Sequence, residues 1–335
     1  MLVTHLPNVR YLTGFTGSAA ALLVGAKSVL VTDGRYREQA RQQVQGARVL
    51  IAKGGLLANT IREIAARKPK RLGLEAEHMT VSMRSTLASG TRGCKLVETS
   101  AVVETLRMTK EPEEVEVIRE AVLLGARLLP AVVRSLRPGR PEVEVAAKLE
   151  YLARRAGAEG MSFETIVASG ARSALPHGVA SAEPLPKVGF VVLDYGVILH
   201  GYCSDMTRTV HLGKPSREAR SWYGAVLQAQ LAAISAISPG AKVSEVDQAA
   251  RSVLKSSKLE KFFTHSTGHG VGLEIHEPPR LAATQEGRLQ PGMVITVEPG
   301  IYVPGKGGIR IEDMVLVTSR GYELLTPARK DFVEL

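Results

Sequence analysis

Cysteine is almost missing from this chain: Cys94 and Cys203 are the only two in 335 residues. Two thiols cannot make a disulfide scaffold or a cysteine-rich zinc site, so a reducing, cytoplasmic setting is the expectation. Long apolar runs are missing too. None approaches the roughly 18 residues of a membrane span. Met1 to Arg10 lacks a basic start followed by an apolar stretch, so no signal peptide is read there. There is no internal repeat and no low-complexity stretch. Hydrophobic residues at 44% and charged residues at 23% describe an ordinary globular chain and exclude a disordered one. The length predicts two domains, with ample core for each.

Acidic residues are in short supply against basic ones, 33 to 43, for a net charge of +10. Taken alone, that surplus suggests nucleic acid or an anionic surface as partner. Its distribution argues otherwise. Residues 1–110 hold 17 Lys and Arg against 7 Asp and Glu, whereas residues 111–335 hold 26 of each. The whole surplus lies in the first third, which supports a division into domains at 1–108 and 109–335. The basic residues are scattered, and the one cluster, Arg67-Lys68-Pro69-Lys70-Arg71, reads as a solvated turn between a helix and a strand. A basic nucleic-acid module with the rest as passenger therefore stays a distant alternative.

The first region reads as an α/β layer. Ala20–Val24 and Ser28–Thr32 flank Gly25-Ala26-Lys27 as a hairpin, Arg35–Val44 is a candidate helix, and strand, helix, strand follow at 49–52, 59–67 and 71–74. Leu2-Val3-Thr4 looks like the tail of a strand, which leaves room for an earlier start. The second region opens at Glu111-Pro112-Glu113-Glu114, a helix start with acids suited to the dipole. Helices are expected at 113–136, 141–156, 216–237 and 243–257, and strands at 163–168, 189–198, 202–211, 293–298 and 309–317. Runs of strands and runs of helices indicate an α+β domain with a largely antiparallel sheet.

Two hairpins carry the chemistry. Two apolar strands flank a turn near His200-Gly201, and a turn centred there is expected to set Asp194 opposite Asp205. A second pair flanks Pro304-Gly305-Lys306-Gly307-Gly308 and is expected to set Glu298 opposite Glu312. Opposed residues share a face with Cβ atoms about 5 Å apart, and two carboxylates that close repel unless a proton or a metal lies between them. Two surface aspartates on one hairpin would be unremarked; two such coincidences in one domain are not. His269, in the glycine-rich run His265-Ser266-Thr267-Gly268-His269-Gly270-Val271-Gly272, can add one nitrogen ligand. His5, His78, His200 and His211 read as ordinary core or surface residues. Oxygen-rich sites with one imidazole suit Mn²⁺, Co²⁺, Fe²⁺ or Zn²⁺, and four carboxylates suit two bridged ions.

The order Asp, Asp, His, Glu, Glu resembles that of the pita-bread metallopeptidases, which include methionine aminopeptidase, aminopeptidase P and prolidase. Asp194, Asp205, His269, Glu298 and Glu312 match the five metal ligands of that family. The surrounding words agree: Leu175-Pro176-His177-Gly178, Glu274-Ile275-His276-Glu277-Pro278-Pro279, Pro291-Gly292-Met293, and Gly308-Ile309-Arg310-Ile311-Glu312-Asp313. In the first region, Asn8-Val9-Arg10-Tyr11-Leu12-Thr13-Gly14-Phe15-Thr16-Gly17-Ser18 and Thr32-Asp33-Gly34-Arg35-Tyr36 look like the creatinase-type N-terminal domain of aminopeptidase P and prolidase, which methionine aminopeptidases lack. Arg35 and Tyr36 there fit a structural role equally well.

The resemblance implies a pita-bread catalytic domain with two divalent ions, Mn²⁺ first among the candidates, that hydrolyses the peptide bond before proline. It implies Glu298 as proton acceptor from the attacking water, and His177 and His276 as substrate contacts that stabilise the tetrahedral species. Thr207, Thr296 and Arg310 look like residues that orient the ligands, and Arg280 is a candidate for gripping a substrate carboxylate. Small peptides with proline second are the implied substrates, with neither nucleic acid nor membrane as partner. A homodimer is implied, since relatives pair with the N-terminal domain near the partner's site. Prolidase-like cleavage of dipeptides and aminopeptidase P-like trimming of longer peptides both remain open. The basic surplus would then draw peptide carboxylates to the substrate entrance.

Overall fold

A computed structural model describes all of residues 1–335. The chain forms two compact units, Met1–Arg107 and Met108–Leu335. The first is built from β1 (Leu2–Val3), α1 (Leu6–Thr13), β2 (Ala20–Leu23), β3 (Val29–Asp33), α2 (Arg37–Gln43), β4 (Arg48–Ala52), α3 (Leu56–Arg67), β5 (Arg71–Glu75), α4 (Val81–Gly90) and β6 (Lys95–Thr99), with α5 (Val102–Met108) following. Its six strands form one mixed sheet in the order β4-β3-β2-β1-β5-β6. The opening strand lies inside that sheet. Leu2 and Val3 are fully buried, antiparallel to β2 on one side and parallel to β5 on the other. Such central strands read as unbroken apolar runs, as Ala20–Leu23 and Val29–Val31 do.

The second unit begins with α6 (Pro112–Val133) and α7 (Glu142–Arg155) and continues through β7 (Gly160–Met161), β8 (Ile166–Ser169), β9 (Gly189–Tyr195), β10 (Val197–Leu199), β11 (Tyr202–Cys203) and β12 (Met206–Leu212). Then come α8 (Arg217–Ser235), α9 (Val243–Ser256), β13 (Gly268–Gly270), β14 (Glu277–Leu281), β15 (Val294–Val297), β16 (Gly300–Val303), β17 (Gly307–Arg310), β18 (Asp313–Thr318) and β19 (Gly321–Leu324). Its named strands pair only in the antiparallel sense, as the sequence pattern predicts.

Two helix pairs cover this sheet system and fix which side chains point inward. Val132, Val145, Ala146 and Leu149 of α6 and α7 pack on Val191, Leu193 and Tyr195 of β9. Val226, Ala229, Val246, Ala250 and Leu254 of α8 and α9 pack with Ile295, Val297 and Val315. The period of two along a strand then turns Asp194 and Thr296 away from those helices, toward the interior between the sheets. Truncating Leu193 or Ile295 to alanine is expected to cost about 2–5 kcal/mol by leaving a cavity.

Candidate metal centre

The His200-Gly201 turn is as tight as the sequence suggests. Leu199 pairs with Tyr202, and the two turn residues have φ of 47° and 78°, the left-handed pair that matches the twist of a two-residue hairpin. Counting outward from that turn corrects one expectation. Asp194 faces Thr207 across the ladder, not Asp205. Asp205 lies two residues nearer the turn, just outside β12. The long strands expected at 189–198 and 202–211 are each interrupted here. At the interruption Gly196 runs so close to Ser204 that a Cβ on it would lie 1.7 Å from the Ser204 carbonyl oxygen. Asp194 and Asp205 thus reach one site on a diagonal, still on one face.

The second pair keeps the expected register while changing sheets. Gly300 pairs with Arg310 in the β16–β17 ribbon, and Val297 pairs with Asp313 in the β15–β18 ladder. Glu298 and Glu312 fall at the same level in the gap between the two ladders, where strand gives way to loop. The strand expected at 309–317 is therefore two strands with a ligand candidate at the break. His269 comes from β13, at a register shift against β14.

The side chains converge. One ligand atom each from Asp205, His269 and Glu312 lie within 4.8 Å of one another. His269 Nε2 is 3.7 Å from Asp205 Oδ2 and 3.5 Å from Glu298 Oε1. Asp194 and Asp205 each bury an Oδ1 atom that accepts no hydrogen bond. Burial first, and then the neighbouring carboxylates, push Asp205 and Glu312 well above the usual carboxylate range. Burial also raises Glu298, against the pull of Arg310. Desolvation lowers the imidazole of His269 to about 4, so it is neutral and able to ligate. Orphaned acceptors, mutually repelling carboxylates and a neutral imidazole are the donor set a divalent cation satisfies. The residues fit such ions.

A hydrogen-bonded frame holds these groups. Thr207 Oγ1 donates to Glu312 Oε2 at 2.7 Å, and Arg310 Nη2 donates to Asp194 Oδ2 at 2.6 Å. Arg310 also donates from Nε to Thr207 Oγ1 at 3.1 Å and from Nη1 to the Tyr302 hydroxyl at 2.6 Å. The Thr296 hydroxyl accepts from the His269 backbone N–H at 3.1 Å. His265 and Tyr302, to which the sequence reading gave no role, complete the frame. His265 Nδ1 sits 2.8 Å from the Ser266 carbonyl, which can only accept, so Nε2 is left to accept from the Tyr302 hydroxyl at 2.8 Å. The position of His265 four residues before His269 was the available signal.

A cavity of about 790 Å³ opens over the cluster. Its wall includes His177, His276 and Arg280 alongside the five ligand candidates. The His276 ring stands edge-on to His269 with centroids 4.4 Å apart. Both His177 and His276 are solvent-exposed, so each ring can meet a ligand. Arg280, on β14 opposite His269, is exposed in the cavity and forms no ion pair. Behind His276, Glu277 is buried and paired with Lys110 at 3.0 Å. His211 is an ordinary buried residue, its Nδ1 3.0 Å from the Gly213 carbonyl oxygen.

Comparison with known proteins identifies the family. The model of metallopeptidase family M24 matches residues 116–319, and that of the creatinase/prolidase N-terminal domain matches residues 1–109. A Xaa-Pro dipeptidase of Pyrococcus furiosus is 46% identical over 232 residues, covering 69% of this chain and 67% of that protein. The solved structure of a Xaa-Pro dipeptidase from Bacillus anthracis superposes with a TM-score of 0.97 at 40% identity, covering 100% of this chain and 94% of that one. An X-Pro aminopeptidase from Thermotoga maritima superposes with a TM-score of 0.92 at 36% identity, covering 100% and 97%.

Proposed function

Because the chain belongs to metallopeptidase family M24 and carries a creatinase/prolidase N-terminal domain, we propose that it is a Xaa-Pro dipeptidase working with two divalent metal ions, manganese first among them. The observation that carries this reading is the buried cluster of Asp194, Asp205, Glu298 and Glu312 beside a neutral His269, with two carboxylate oxygens that no protein donor satisfies. Those five residues would hold the ions. Bound there, two divalent ions supply hydroxide near neutral pH and polarise the scissile carbonyl.

The chain's own groups do the rest. Glu298, ionised as a ligand, would take the proton from the attacking water and pass it toward the proline nitrogen. His276 and His177, on the cavity wall, contact the substrate and stabilise the tetrahedral oxyanion by donating hydrogen bonds. Arg280, free of any acidic partner, grips the carboxylate of proline. Thr207, Thr296 and Arg310 orient Glu312, His269 and Asp194, and such supporting bonds typically change metal affinity or activity 10- to 100-fold when lost.

The similarity to the Thermotoga X-Pro aminopeptidase favours a second reading, removal of the N-terminal residue from longer peptides with proline second. Manganese-loaded enzyme assayed on Xaa-Pro and on Xaa-Pro-Yaa-Zaa separates the two. Release of proline from the dipeptide alone supports the dipeptidase; cleavage of the tetrapeptide assigns the aminopeptidase. The same assay with Co²⁺, Zn²⁺ and Fe²⁺ ranks the metals. We read the protein as a cytoplasmic homodimer acting on small peptides, without nucleic acid or membrane as partner. Cys94 and Cys203 form no disulfide, in keeping with that setting, and no helix is long and apolar enough to cross a membrane.

A further inference from the structure

Glu142 is completely buried and lies outside the metal cluster, yet its carboxylate is one of the most heavily bonded in the protein. Oε1 accepts from the Ser169 N–H at 2.7 Å and the Ser169 hydroxyl at 2.8 Å. Oε2 accepts from Arg172 Nε at 3.0 Å, the Ser181 N–H at 3.2 Å and the Ser181 hydroxyl at 2.7 Å. Ser169 and Ser181 bracket the segment that carries His177. Arg172, inside the segment, also donates from Nη2 to the Val179 carbonyl oxygen at 2.8 Å. One carboxylate on the first turn of α7 therefore ties together both ends of this segment.

The tip of the segment is held from the other side. Arg310 Nη1 donates to the Pro176 carbonyl oxygen at 3.1 Å, while its Nη2 holds Asp194. The residue next to Pro176 is His177. Its ring is exposed in the cavity, and no hydrogen bond of its own side chain fixes it. Where the imidazole reaches is thus decided by the backbone of the segment, and that backbone is anchored on Glu142 at its base and Arg310 at its tip. We propose that Glu142 is a positioning residue for catalysis, setting the placement of His177 over the metal cluster. This rests on the role given to His177 under the proposed function.

The chemistry of the anchor makes it sensitive to one atom. Both oxygens accept from a backbone N–H, and a backbone N–H cannot turn away. In Glu142→Gln, whichever way the amide is oriented, its NH₂ faces a backbone N–H and a pair of donors is set against each other. The expected result is about a tenfold fall in kcat with KM and bound metal unchanged. The decisive measurement is a double-mutant cycle with His177→Ala, read as kcat on Xaa-Pro together with metal content by elemental analysis.

If Glu142 acts through His177, Glu142→Gln costs tenfold in the wild-type background and less than twofold when His177 is already alanine. An equal loss in both backgrounds, or a loss of bound metal in Glu142→Gln, overturns the proposal. If His177→Ala alone leaves kcat intact, the role of His177 falls first, and this inference falls with it. Ser181→Ala serves as the milder variant should Glu142→Gln fold poorly. It removes one of the five donors and is expected to give a two- to threefold fall that also disappears on the His177→Ala background.

Discussion

Two kinds of buried carboxylate sit in this protein, and the contrast between them marks where the chemistry is. Asp313 is fully buried and fully occupied: Arg208 Nη2 reaches Oδ1 at 2.7 Å, while Gln230 Nε2 at 2.7 Å and Lys330 Nζ at 2.6 Å reach Oδ2. Its neighbour Glu312 accepts from the Thr207 hydroxyl and otherwise faces other acids, which drive its proton affinity up. One peptide bond separates a carboxylate that the protein has neutralised from one it has left for something else. Burial alone therefore does not identify a metal site. Burial with unfilled acceptors, as at the Oδ1 atoms of Asp194 and Asp205 beside Glu312, is what points to one.

The largest effect should come from removing what the open cluster supplies. Glu298→Ala and His269→Ala are expected to lose nearly all hydrolysis of Xaa-Pro substrates while remaining folded, since each removes a ligand candidate without orphaning a buried cation. Normal turnover by either variant would sink the site assignment. The closed cluster should respond in the opposite way. Asp313→Ala leaves Arg208 and Lys330 without their acid and is expected to cost about 3–5 kcal/mol of stability. A loss below about 1 kcal/mol in chemical denaturation would erase the distinction drawn between the two clusters.

The pH dependence of the metal-free protein tests the open cluster directly. Asp205, Glu298 and Glu312 have raised folded-state pKa values, so over the range above the ordinary carboxylate values the folded state holds more protons than the unfolded one. Stability then falls as pH rises. His265 and His269, lowered to about 4, and His276, lowered as well, act oppositely, chiefly below their ordinary value of 6.5. Above 6.5 the three carboxylates dominate, opposed only by the Met1 ammonium, which burial lowers from its ordinary 8.0. The Tm of chelator-treated protein is therefore expected to fall between pH 6.5 and 8, and saturating Mn²⁺ is expected to abolish that slope, because ligand carboxylates are deprotonated when they bind metal. A flat metal-free profile would contradict the raised values.

The comparison also explains how much of the site was legible in sequence. Hairpin turns and apolar periodicity bring out the four carboxylates, the glycine-rich run adds His269, and the set of five as ligands rests on the resemblance to the pita-bread metallopeptidases. The Glu298 and Glu312 register could be counted correctly from the Gly305 turn. Asp194 faces Thr207 rather than the expected Asp205. His200 and Gly201 both adopt positive φ, so the turn is two residues long and Thr207 falls opposite Asp194. The interruptions within the strands expected at 189–198 and 309–317 carry no local mark, since the apolar pattern resumes beyond Gly196 and beyond Glu312. Contacts distant in sequence, such as Lys110 with Glu277 and Glu142 with Ser181, have no local signal at all. The fold class of each unit follows from local pattern and the particular folds from the resemblance, whereas the bracing of their loops depends on who meets whom after collapse.

The smallest expected effect comes from Glu75 in the first unit, and it separates two closed clusters from each other. Glu75 accepts at Oε2 from the backbone N–H groups of Thr4 at 2.6 Å and His5 at 3.0 Å, at the start of α1, and at Oε1 from Asn8 Nδ2 at 2.7 Å. Here only one oxygen takes backbone donors. An amide can keep its oxygen on that side; the donor its NH₂ then meets is Asn8 Nδ2, a side chain that can shift where a backbone N–H cannot, though it also donates to Glu104 at 2.6 Å and its Oδ1 accepts from Arg107 Nη1 at 2.6 Å. Glu75→Gln also gives up the favourable charge at a helix N-terminus, worth a few tenths to about 1 kcal/mol. The total is expected near 1–2 kcal/mol by denaturant titration, with metal content and kcat unchanged. A loss above 3 kcal/mol, or a fall in activity, would mean that arrangement of donors does not decide how a buried carboxylate tolerates its amide.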